Sequence, residues 1–95
     1  MMVLEKIHLR LFIAGDEPNS RQARENVTHL CHDYLENKCD LETIDILKDY
    51  KIAIESKIYV TPALKVDTPP KPTVTIYGNL NDEKKILTAI GIKSG

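Results

Sequence analysis

The first half of the chain alternates between strand-like and helix-like spacing of apolar residues. From Ile7 to Ala14 apolar and polar residues alternate and then become continuously apolar, which predicts a strand that enters a core. Gly15–Pro18 carries turn-forming residues, and Asn19 or Ser20 is predicted to cap the next helix. An apolar residue then recurs every three or four positions, which predicts an amphipathic helix closed by Asn37–Lys38. The stripe consists of Ala23, Val27, Leu30, Cys31, Tyr34 and Leu35.

A second strand is predicted at Leu41–Ile46, where alternation returns, with Cys39 opening it. A strand, a helix and a strand joined by short turns form a βαβ unit, whose two strands are parallel. Helical spacing resumes after this strand and ends at Thr61–Pro62, because proline cannot continue a helix. The residues of this short helical pattern are Tyr50, Ala53, Ile54 and Ile58.

The rest of the chain predicts two strands and a helix. Ala63–Val66 and Thr73–Tyr77 read as antiparallel strands joined by the proline-rich connection Asp67–Pro72. The turn Gly78–Asn81 leads into a helix that Asn81 is predicted to cap and that Gly91 is predicted to end. The order βαβαββα predicts an α/β fold with a mixed four-stranded sheet and helices on both of its faces.

Composition narrows the functional classes. The 95 residues allow one small domain, residues 1–95, with a core at about 7–90. A formal net charge of −1 argues against a nucleic-acid-binding surface, which needs clustered positive charge. The amino terminus lacks the apolar region of a signal peptide, and no apolar run is long enough to span a bilayer. We therefore expect a cytoplasmic protein that binds neither nucleic acid nor membrane.

The segment Val60–Leu64 resembles the proline loop of thioredoxin-like folds, in which that loop faces a Cys-x-x-Cys at the end of the first strand. Here the corresponding stretch, Phe12–Ser20, contains no cysteine. Neither a nucleophile beside a base nor a glycine-rich phosphate loop is visible. The sequence therefore favours a binding protein over an enzyme, with no catalytic residue, cofactor or metal.

Two cysteines and two neighbouring histidines leave other chemistries open. Cys31 falls on the apolar stripe and Cys39 opens a strand, which favours two reduced structural thiols over a disulfide, a reactive thiol or a metal site. His29 and His32 are three residues apart on the helix, close enough to share a ligand. They point away from the stripe that carries Cys31, so a surface pair is the favoured interpretation.

Several strings in order along the chain resemble the KaiB family of circadian clock proteins, from about Ile7 to Ile90. They are Phe12–Gly15 followed by Pro18–Ser20, then Ile44–Lys48, then Lys57–Ile58 followed by Thr61–Leu64, then the proline-rich turn, and finally Gly78–Asp82 followed by Lys85–Leu87.

The resemblance implies a non-enzymatic protein with a thioredoxin-like fold that binds a KaiC-like ATPase and modulates its phosphorylation or ATPase state. It also implies a KaiA-like protein or a histidine kinase as further partners, and a second conformation that forms homo-oligomers, dimers or tetramers. A cis peptide bond before Pro62 is expected as well. Within the same resemblance an adaptor for a histidine kinase in stress signalling is the alternative. A divergent thioredoxin-like redox protein that uses Cys31 or Cys39 is a more distant one.

The resemblance places a partner-binding stretch around Lys57. Lys57 could pair with an acidic edge of the ATPase, or it could be a solvated cation favoured by the carboxyl end of its helix. The residues expected to serve partner binding are Lys57, Ile58, Thr61, Pro62, Lys65 and Arg21. The residues expected to serve only turns and caps are Gly15, Pro18, Asn19, Ser20, Gly78 and Asn81.

Overall fold

The computed structural model describes residues 7–35, 39–69, 71–78 and 80–91. The seven strands and helices in these residues follow the predicted order. They are β1 (Ile7–Ile13), α1 (Pro18–Tyr34), β2 (Cys39–Asp45), α2 (Tyr50–Glu55), β3 (Ala63–Asp67), β4 (Val74–Tyr77) and α3 (Glu83–Ile90). The predicted closure of α1 at 37–38 lies outside the described residues.

The four strands form one mixed sheet in the order β2-β1-β3-β4. β1 runs parallel to β2, as the βαβ pattern predicts, and antiparallel to β3, while β3 and β4 are antiparallel. Residues paired across neighbouring strands point to the same face of a sheet. Because Leu11 pairs with Leu64 and Phe12 pairs with Ala63, alternate residues of β1 supply the two faces of the sheet.

One face of the sheet carries most of the core. α1 and α3 pack there, and their buried side chains form one cluster with the odd-numbered residues of β1. The cluster comprises Leu9, Leu11, Ile13, Ala23, Val27, Leu30, Cys31, Leu35, Leu64, Val66, Ile76, Leu80, Ile86, Leu87 and Ile90. The expectation of helices on both faces is confirmed, because α2 packs against the other one.

The opposite face carries a much smaller cluster. Its buried residues are Phe12, Ile44, Ala53, Ile58 and Ala63. Ala53 is the buried residue of α2, so this six-residue helix contributes little apolar area. The predicted short helix is present but ends at Glu55, so Ile58 lies beyond it. Tyr50 and Ile54 lie on the helix but are 59% and 61% exposed.

The amino terminus of α1 corrects the predicted cap. The helix begins at Pro18, whose fixed φ suits the first helical position and whose missing N–H is not needed there. Asn19 and Ser20 therefore lie inside the first turn, and Glu17 precedes the helix without a side-chain cap. The fully buried Ser20 instead accepts a hydrogen bond at Oγ from the Ala14 N–H, at 3.1 Å. This bond ties the helix to the end of β1.

The two ends of α3 differ in how well the sequence predicted them. Asp82 rather than Asn81 caps the helix, because its Oδ1 accepts from the Lys85 N–H at 3.2 Å. Gly91 ends the helix in the left-handed conformation, with φ of 100°, as predicted. A side chain at Gly91 would also meet the ammonium group of Lys71.

Candidate partner-binding surface

Exposed apolar side chains concentrate on and around α2. We call this set, together with the exposed Lys57, the α2 surface. Its apolar members are between 59% and 79% exposed. They are Leu47, Tyr50, Ile54, Tyr59 and Val60. Grouped apolar exposure on a small domain is typical of an interaction site, whereas single exposed apolar residues are not informative.

The end of α2 holds Lys57 in an unusual conformation. Lys57 has φ of 59°, the left-handed region in which glycine is strongly preferred. Its N–H donates to the Ile54 carbonyl at 3.0 Å, and the Ile58 N–H donates to the Ala53 carbonyl at 2.9 Å. This pair of bonds is the Schellman motif, and the contact between buried Ile58 and Ala53 completes it. The motif turns the chain so that Ile58 enters the core while Lys57 remains exposed.

Asp45, at the end of β2, connects the two loops that border the α2 surface. Its Oδ1 accepts from the Gly15 N–H at 3.1 Å and from the Leu47 N–H at 3.0 Å. These two bonds, with the Leu47 bond first, hold the pKa of Asp45 below its ordinary value. Gly15 has φ of 56°, and Leu47 packs so closely that a side chain at Gly15 would meet it at 3.2 Å. Gly15 lies in the turn between β1 and α1.

The expected partner-binding residues separate by burial. Lys57 is exposed and Thr61 is half-buried, so both are accessible from outside. Ile58 and Pro62 are buried, so their side chains are not available for direct contact with a partner. The Thr61–Pro62 bond is cis, as the resemblance implies. Gly78, with φ of 108°, donates its N–H to the Pro62 carbonyl at 3.0 Å, which joins the end of β4 to this loop.

The remaining two expected residues are Lys65 and Arg21. Lys65 is half-buried in β3, opposite Arg10 in the sheet register, and so lies on the face of the sheet against which α2 packs. Arg10 in turn contacts Glu42 at 3.3 Å and lies 5.8 Å from the Phe12 ring centre. Arg21 is exposed on α1, the helix that packs against the opposite face of the sheet. Of the expected set, only Lys57 belongs to the α2 surface.

The candidate chemistry outside this surface is sparse. Among the described residues, no group of three or more His, Cys, Asp or Glu side chains could hold a metal ion. His29 and His32 are both exposed and both contact the Asp33 carboxylate, at 2.7 and 3.1 Å, as a surface pair would. No helix of the described part of the chain is long and apolar enough to cross a membrane.

Comparison with known proteins places this architecture in a family. A sequence model described as the KaiB domain matches residues 10–92. The Synechocystis sp. protein named "Circadian clock protein KaiB3" is 36% identical over 91 residues, which cover 96% of this chain and 88% of that protein. The chain belongs to the KaiB family.

Solved structures agree on the fold of this KaiB family protein. The amino-terminal domain of Synechococcus elongatus SasA superposes with a TM-score of 0.75 at 18% identity, covering 100% of this chain and 92% of that one. Fasciola hepatica thioredoxin superposes with a TM-score of 0.74 at 15% identity, covering 90% of this chain and 79% of that one. The expected thioredoxin-like fold is confirmed. Where thioredoxin-like redox proteins carry their Cys-x-x-Cys, this KaiB family protein has the exposed Asp16 and Glu17.

Sequence reasoning missed the apolar part of the surface of this KaiB family protein. It identified Lys57 through the resemblance, but it did not predict that Leu47, Tyr50, Ile54, Tyr59 and Val60 are exposed together. A usable signal was present: residues 47–60 contain more large apolar side chains than a short helix can bury on one side.

Proposed function

We propose that this chain is a non-catalytic clock regulator that binds a KaiC-like ATPase through the α2 surface. Binding would shift the phosphorylation or ATPase state of that enzyme. The observation that carries the proposal is Lys57, an exposed side chain at a position where the backbone favours glycine. The KaiB family membership and the clock proteins among its relatives support the choice of partner.

The left-handed conformation of Lys57 lowers the stability of the folded protein. A residue with a Cβ in the left-handed region is destabilised by roughly 1–2 kcal/mol relative to glycine. Lys57 nevertheless occupies the position that ends α2, and its side chain is exposed in the same segment as the exposed Tyr59 and Val60. Residues that break a local rule without a structural benefit are often found at functional sites. We infer that Lys57 is there for binding.

The remaining composition of the surface defines the partner. Exposed Leu47, Tyr50 and Ile54 would be buried against an apolar patch, which supplies most of the affinity. Lys57 would pair with a carboxylate at the rim of that patch, which fixes orientation and speeds association. A partner with an apolar hollow and an acidic edge therefore suits the α2 surface.

No turnover by this chain is needed for regulation. A protein that binds one conformation of an ATPase more tightly than another shifts the population toward the first. The size of the shift is limited by the difference between the two affinities. Nucleotide-dependent binding is therefore the expected signature of this mechanism.

The direct test is size-exclusion chromatography of the chain with the KaiC-like ATPase of its own host, first with ATP and then with ADP. We expect co-elution that is stronger with one of the two nucleotides. Absence of co-elution with both would contradict the proposed partner, and equal co-elution would contradict the regulatory mechanism.

Matched substitutions locate the interface. Lys57→Ala should weaken binding by roughly tenfold, whereas Lys84→Ala, on the exposed part of α3, should leave it unchanged. Val60→Ser should weaken binding, whereas Val74→Ser should not, since Val74 is exposed on β4, opposite Val66 of the larger cluster. Equal effects within either pair would exclude the α2 surface as the interface.

A further inference from the structure

Two thiols meet at the end of the molecule remote from the α2 surface. Cys31 lies on the inner side of α1, and Cys39 is the first residue of β2. Cys39 pairs in register with Ile7, and Leu41 pairs with Leu9, so all four side chains point to the face that α1 covers. Cys39 packs against the cluster that contains Cys31. Both thiols therefore lie where α1 meets the start of β2.

The two thiols differ in their access to reagents. Cys31 is buried, whereas Cys39 is half-buried. Both line a cavity of about 420 Å³ that opens to solvent between α1 and β2. Thr28, His32, Asp40 and Leu41 complete its lining. A small disulfide reagent entering this cavity can therefore reach Cys39 more readily than the buried Cys31.

We propose that Cys31 and Cys39 form a reversible intramolecular disulfide when the protein meets a small-molecule disulfide such as oxidised glutathione. The bond joins the last turn of α1 to the start of β2, between residues eight positions apart. It is a modification site separate from the α2 surface, which follows the opposite ends of β1 and β2.

The exchange proceeds in two balanced steps. The Cys39 thiol gives its proton to solvent, and its sulfur attacks one sulfur of oxidised glutathione. The reagent's S–S bond breaks and one glutathione thiolate leaves. Cys31 then gives up its proton, and its sulfur attacks the Cys39 sulfur of the mixed disulfide, which expels the second glutathione. Two cysteine S–H bonds are lost and one S–S bond forms, while one oxidised glutathione becomes two reduced molecules.

The order of the steps follows from the surroundings of each sulfur. Burial, together with the neighbouring Cys39, raises the pKa of Cys31 to about 12, so Cys31 is a poor first nucleophile. Once Cys39 is bonded to glutathione it carries no negative charge. The part of the shift that comes from Cys39 then disappears, and Cys31 loses its proton more readily for the second step.

The test treats the native chain with oxidised glutathione and follows intact mass and free thiols. We expect the loss of two hydrogen atoms in mass, the loss of both thiols, a Cys31–Cys39 cross-linked peptide on digestion without reductant, and full reversal by dithiothreitol. A persistent glutathione adduct, a disulfide-linked dimer or two unmodified thiols would each overturn the proposal.

Single substitutions test the order. Cys31→Ala should stop at a glutathione adduct on Cys39, and Cys39→Ser should react many times more slowly than the native chain. Circular dichroism checks that each variant is folded. If a variant is unfolded, Cys31→Val replaces Cys31→Ala, and the relative rates of iodoacetamide labelling of the two cysteines in the native chain replace Cys39→Ser. Faster labelling of Cys31 than of Cys39 would overturn the assigned order.

Discussion

The two faces of the sheet differ in how much apolar surface they bury and how much they leave exposed. On the α1 and α3 face, fifteen of the described residues form one buried cluster. On the α2 face only five do, and large apolar side chains stay outside. The helix ends repeat the contrast, since α3 ends in a left-handed glycine and α2 ends in a left-handed lysine. Among the described residues other than glycine, two have a positive φ: Leu80, which is buried in the larger cluster, and Lys57, which is exposed where a partner is expected to bind.

The largest effect should come from truncation within the larger cluster. Leu64→Ala removes a fully buried β3 side chain from the larger cluster, so we expect a loss of about 3 kcal/mol in the free energy of unfolding. Ile58→Ala, in the smaller cluster, should cost about 2 kcal/mol, because the exposed neighbours of α2 can shift into the space. Urea unfolding of both variants gives the two values. A larger loss of stability for Ile58→Ala than for Leu64→Ala would contradict the conclusion that the α1 and α3 face contributes more to stability.

The next largest effect on stability should come from Gly91, which ends α3. Gly91→Ala forces a side chain into the left-handed region and against the Lys71 ammonium, so we expect a loss of about 1–2 kcal/mol. Adding Lys71→Ala should relieve only the steric part. Thermal unfolding of the single and double variants separates the two costs. Full recovery in the double variant would show that the conformation of Gly91 is not limiting.

Substitution of Lys57, which ends α2, should change stability in the opposite direction. Lys57→Gly relieves the left-handed strain, so we expect a gain of up to about 1 kcal/mol in stability, reduced by the greater freedom of glycine in the unfolded chain. The same variant should lose affinity for the KaiC-like ATPase, because the ammonium group is gone. Chemical unfolding and a binding assay are needed together. A variant that is more stable and binds equally well would remove Lys57 from the proposed interface.

Much of this contrast between the two faces could be predicted from the sequence, but not all of it. β1 and α1 have long periodic patterns, and their type was predicted correctly, as were the inner residues of α1 except Tyr34, which is 48% exposed. The pattern around Tyr50 and Ile54 did not reveal their exposure, because periodicity identifies residues that share a side of a helix without showing whether anything covers that side. The α1 cap was misplaced because three consecutive residues, Pro18 to Ser20, can each begin a helix. The Cys31–Cys39 contact depends on the register of β1 with β2, which spacing along the chain does not give.

The smallest effect concerns the acid that joins the two loops beside the α2 surface. Hydrogen bonds from Leu47 and Gly15 depress the pKa of Asp45 in the folded protein, so its contribution to stability is present above its unfolded pKa. That contribution is lost as pH falls through the depressed folded value. Asp45→Asn keeps an acceptor oxygen but removes the charge, so the variant should be slightly less stable at neutral pH.

The difference between native chain and Asp45→Asn should narrow in acid, where Asp45 is protonated in both folded and unfolded states. Urea unfolding of the two proteins at a series of pH values from neutral to strongly acidic measures it. A difference that stays constant through the acid range would mean that the loss comes from altered hydrogen-bond geometry alone. If the variant also binds the ATPase more weakly at neutral pH than its small stability loss explains, then Asp45 fixes Leu47 for contact. The α2 surface would in that case be a preorganised site rather than simply the less covered face of the sheet.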